Sequence, residues 1–71
     1  MLSFEIPKLG RIAIYLDEQG LLDLVQALKR LPRDGRIEGV TLTELGCTLE
    51  DKTPYGDDGV PAVQLHFVAT P

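Results

Sequence analysis

Adjacent carboxylates at Asp17-Glu18, Glu50-Asp51 and Asp57-Asp58, one imidazole (His66), one thiol (Cys47) and one serine hydroxyl (Ser3) are the first side chains to weigh for chemistry. Paired acids can divide general-acid and general-base work when a cleft raises one pKa, but neighbouring acids in turns are ordinarily solvated. A Ser-His-Asp arrangement would have to use Ser3, which lacks the strained Gly-x-Ser-x-Gly turn that exposes a nucleophile. A zinc site would have to join His66 to Cys47, two ligands where a closed site takes four. Asp57-Asp58-Gly59 lacks the alternating oxygens and distant bidentate glutamate of a calcium loop. The seven glycines match neither phosphate-binding nor dinucleotide-binding spacing. These residues therefore predict a protein that is not an enzyme and holds neither cofactor nor metal.

The elements that must position them follow from periodicity. Leu2, Phe4 and Ile6 alternate with polar residues, and Ile12, Ile14 and Leu16 alternate with Ala13 and Tyr15, the period-two pattern of half-buried strands. A three-residue loop, Lys8 to Gly10, with positive φ at Gly10, pairs Ile6 with Ile12, Phe4 with Ile14 and Leu2 with Leu16, so all six face one way. Asp17 is a good helix N-cap, and Leu21, Leu24, Val25, Leu28 and Leu31 recur at helical spacing until Pro32 stops the run. Gly20 in the first turn is costly, which predicts either a late helix start or a close contact that excludes a side chain.

Val40 and Leu42 then alternate, and Leu45, Cys47 and Leu49 continue on the opposite parity. A bulge at Glu44 to Gly46 is expected to return both sets to one face, with Cys47 inward. Val63, Leu65, Phe67 and Ala69 mark a last strand over 62–69. The predicted fold is α+β: one domain over 1–71, ββαββ, a four-stranded antiparallel sheet in the order 1-2-4-3, with one helix on one face. The other face, bearing Ala13, Tyr15, Thr41, Thr43, Gln64, His66 and Val68, is expected to be open.

Totals narrow the class of partner. Seventy-one residues bury only about 60% of their unfolded surface, leaving little room for an enclosed substrate pocket. Eleven acids against seven bases give a net charge of −4, which disfavours nucleic acid and anionic membranes and favours a basic protein. Lys29, Arg30, Arg33 and Arg36 form one basic cluster after the helix, without a stacking platform for bases. The lone cysteine excludes an intramolecular disulfide. The start, Met-Leu-Ser-Phe-Glu-Ile-Pro, has no basic segment followed by an apolar run, and no run of about 20 apolar residues occurs, so a cytoplasmic location is expected.

Between two apolar runs lies Glu50-Asp-Lys-Thr-Pro-Tyr-Gly-Asp-Asp-Gly59, four carboxylates around one tyrosine. The candidate partner-binding residues are Glu50, Asp51, Tyr55, Asp57 and Asp58 on this loop, with Tyr15, Gln64 and His66 on the open face. A second reading is a homo-oligomeric structural or regulatory subunit that pairs through an edge strand or that face.

A strand over Arg11 to Leu16, the acidic cap Asp17-Glu18-Gln19, Gly20-Leu21 opening a helix with Leu24, Leu28 and Leu31, then Gly39-Val-Thr-Leu42 and Val63-Gln-Leu-His-Phe67 around a variable acidic stretch, form a further pattern. In it the chain resembles one of the small immunity-protein families of bacterial polymorphic toxin systems, the family numbered thirty-two among them. The resemblance implies a cytoplasmic antidote that binds and blocks a cognate toxin, commonly an enzyme with a basic active-site groove.

Overall fold

The computed structural model describes residues 1–35 and 38–69, so Arg36 of the basic cluster lies outside the described residues. Its elements run β1 (Leu2–Glu5), β2 (Ala13–Leu16), α1 (Glu18–Arg30), β3 (Val40–Thr41) and β4 (Gln64–Leu65). Among the described residues the fold is α+β with one helix.

The hairpin adopts the register that alternation dictates: Leu2 faces Leu16, and Phe4 faces Ile14. Gly10 takes φ +85, and the Arg11 amide closes the turn on the Lys8 carbonyl at 3.1 Å. The ladder ends at Glu5 and Ala13, so Ile6 and Ile12 lie beyond it and are both exposed.

Asp17 caps α1 by accepting from the Gly20 amide at 2.8 Å. The Met1 ammonium and that amide together hold its carboxyl below the usual aspartate range. The helix begins at Glu18, so Gly20 does lie in the first turn. Close packing is the reason, since a Cβ there would overlap the Met1 carbonyl oxygen. Leu24, Ala27 and Leu31, at helical spacing, join Leu2, Phe4, Val40, Leu42, Leu45 and Cys47 in the core.

The four strands do not form the single sheet expected in the order 1-2-4-3. They make two separate antiparallel pairs, β1 with β2 and β3 with β4. β3 pairs Val40 with Leu65 and Thr41 with Gln64, and one further bond joins the Leu42 amide to the Val63 carbonyl at 2.9 Å. The strand expected over 62–69 is therefore reduced to Gln64–Leu65, because a strand extends only as far as a neighbour pairs with it.

The bulge expected at Glu44 to Gly46 is instead a tight turn. The Leu45 amide bonds the Leu42 carbonyl at 3.1 Å, the Cys47 amide bonds the same carbonyl at 3.0 Å, and the Glu44 amide bonds Thr41 Oγ1 at 3.3 Å. Gly46, at φ +96, supplies the left-handed residue. The turn still delivers Leu42, Leu45 and Cys47 to the interior, as the parity argument required. Arg30 Nη1 donates to the Leu45 carbonyl at 3.1 Å, and Cys47 Sγ donates to the Asp23 carbonyl at 3.5 Å, which fixes the turn against the polar flank of α1.

Candidate functional site

The acidic segment, which lies between β3 and β4 in the chain, is anchored at both ends on the edge of β1. The Glu50 amide donates to the Leu2 carbonyl at 2.9 Å, and the Val60 amide donates to the Phe4 carbonyl at 2.7 Å. Both ends of the loop thus satisfy the outward carbonyls of one strand edge. Inside the loop, the Gly59 amide bonds the Asp51 carbonyl at 3.0 Å, and Thr53 and Gly56 exchange bonds of 2.8 and 3.3 Å. The Tyr55 amide bonds Thr53 Oγ1 at 3.1 Å. Gly59 is required sterically: a Cβ would stand 2.5 Å from the Glu50 carbonyl oxygen and 2.7 Å from that of Asp51.

The loop's shape is therefore set by main-chain bonds, and Glu50, Asp51, Asp57 and Asp58 are all exposed. Tyr55 stands edge-on against Tyr15, with ring centroids 5.6 Å apart, while remaining 83% exposed. The Tyr15 hydroxyl donates to Glu5 Oε2 at 2.9 Å. That bond, with partial desolvation and the nearby negative charge, raises the phenol pKa and keeps it protonated. Glu5 was not among the candidates, although the register exposes it: Glu5 sits diagonally across the ladder from Tyr15.

The hairpin face expected to be open is partly covered. Ser3, on the same parity as Tyr15, is fully buried with its hydroxyl unpartnered. Tyr15 and Tyr55 are thus brought together with the acidic loop. Gln64 and His66 belong to the second sheet region, and no common sheet face unites them with Tyr15. His66 is exposed, with its ring over Gly39, where a Cβ would come within 2.6 Å of Cε1. Thr43 lies in the turn after β3, and Val68 is exposed beyond β4.

Apolar exposure adds a second candidate surface. Ile6, Ile12 and Ile14, with Phe4, Val60, Ala62 and Val63, line an open groove of about 300 Å³. Leu21, Leu22, Val25 and Leu28 leave one flank of α1 half-exposed, away from the flank that Asp23 and Arg30 hold against the turn. Cys47 is buried and His66 exposed, and burial pushes the Cys47 thiol up from its ordinary pKa. No helix among the described residues is long and apolar enough to cross a membrane. Comparison of the chain with family models, curated proteins and solved structures finds no match.

Proposed function

We propose that the chain is a non-catalytic protein-binding module, a cytoplasmic immunity protein that neutralises a toxin by laying its acidic loop against a basic groove. The observation that carries the reading is a loop held by its backbone while its carboxylates stay free. Glu50 and Asp51 precede the exposed Tyr55 in the loop and Asp57 and Asp58 follow it, all four exposed, and Tyr55 leans on Tyr15.

A preformed loop loses less entropy on docking than a flexible one, and clustered negative charge speeds encounter with a basic partner while repelling nucleic acid. Tyr55 is the aromatic anchor at the centre of that charge. Gln64 and His66 contribute only where the partner's footprint extends to the second sheet region.

The test is first to read the neighbouring reading frame for a large protein with a variable C-terminal toxin domain, and then to use such a domain as bait in a pull-down. The expected result is binding that weakens with salt. Changing Glu50, Asp51, Asp57 and Asp58 together to amides should lower the affinity and flatten the salt dependence. Affinity and salt slope unchanged by that variant would defeat the reading.

A further inference from the structure

The two edges of the hairpin are unequal, and the open one is complementary to itself. The Asp17 amide bonds the Met1 carbonyl, and the Leu2 and Phe4 carbonyls bond outward to Glu50 and Val60. Odd-numbered residues of β1 therefore bond across the ladder to odd-numbered residues of β2, and even-numbered ones point their amides and carbonyls away. On β2 these outward groups belong to Ile14 and Leu16, and Ile12 continues the series. Among the described residues none of the three has a main-chain partner on that side. Their side chains are also uncovered, at 71%, 48% and 37% exposure for Ile12, Ile14 and Leu16.

Natural edges are usually blunted by lysine, proline or a bulge, and Ala13-Ile-Tyr-Leu16 contains none of these. We propose that β2 is a self-association seam, where two copies pair antiparallel about Ile14 and form a four-stranded sheet in the order β1-β2-β2-β1.

The register follows from the residues. Centred on Ile14, Ile12 of one copy faces Leu16 of the other, so every outward amide and carbonyl of the edge finds a partner. Apolar side chains then lie opposite apolar ones on one face of the sheet. On the other face Ala13 meets Tyr15, small against large, at the close spacing of a non-hydrogen-bonded pair. At each end Arg11 faces Asp17, an opposite-charge pair formed twice by the two-fold symmetry. That complementarity commits the seam to a second copy of this chain. The inference does not rest on the proposed antidote function, since the seam uses the main-chain groups of the β2 edge and the acidic loop is bonded to the β1 edge.

Sedimentation equilibrium of the full chain should show a concentration-dependent dimer. Arg11→Glu, at an exposed position outside the ladder, should weaken it at least about tenfold at low salt, because two attractive pairs become repulsive. Ile14→Lys should give a monomer by placing two ammonium groups across the axis, with circular dichroism showing that the variant is folded. In a Cys47→Ser background, mixed Ala13→Cys and Tyr15→Cys proteins should cross-link on oxidation. Either alone should not, since only Ala13 opposite Tyr15 comes within about 4.5 Å between Cα atoms. A monomer at every concentration up to about 1 mM, a dissociation constant near 1 mM being about the weakest such data resolve, would overturn the proposal. So would a dimer as tight in Arg11→Glu and Ile14→Lys as in the parent, or cross-linking in each single-cysteine protein alone.

Discussion

Two loops adjoin strand β1, one continuing its chain and one docked on its edge, and they are held in opposite ways. The tip between β1 and β2 carries one turn bond, from the Arg11 amide to the Lys8 carbonyl, and Leu9 at its apex is 99% exposed. The acidic loop is tied at both ends to β1 and again across its own neck. Charge density would suggest the reverse, with four carboxylates repelling one another into a floppy segment. Backbone bonds win because each satisfies an amide beside the core, while the carboxylates remain in water where their mutual repulsion is screened.

The contrast can be broken most sharply at glycines. Gly59→Ala should cost about 3 kcal/mol, because the new methyl meets two carbonyls of the loop neck that cannot both retreat, and denaturant unfolding would measure it. The Tyr15–Tyr55 contact should be lost with it. Gly10→Ala should cost only about 1 kcal/mol, for positive φ alone, since nothing lies within 4 Å of the added Cβ. Equal losses at the two sites would remove the distinction between a pinned loop and a free tip.

Within β1, Ser3→Ala should stabilise by about 1 kcal/mol, because it deletes a buried hydroxyl that has no partner. A destabilised Ser3→Ala protein would mean that the hydroxyl is bonded after all. The smallest effect belongs to the four loop acids. Their combined change to amides should shift stability by less than about 0.5 kcal/mol, since the carboxylates are exposed and the loop's bonds are main-chain ones. A larger loss in thermal unfolding would show that side-chain charge holds the loop.

Residue order alone determined the hairpin register, the positive φ at Gly10, the Asp17 cap and the helix that ends at Arg30 before Pro32. Those features depend on contacts a few residues apart, so alternation, helical spacing and turn chemistry are enough to specify them. Even the inward set Leu42, Leu45 and Cys47 was legible, because parity shows which side chains must be buried whichever backbone device turns the chain. Tertiary structure decided the rest: two sheets in place of one, a turn where a bulge was expected, and a β1 edge claimed by Glu50 and Val60. Backbone amides and carbonyls are nearly the same in every residue, so which of them meet across a long separation leaves no mark on local sequence pattern. That single competition for the edge of β1 left β2 uncovered and turned an apparently loose acidic run into a shaped surface.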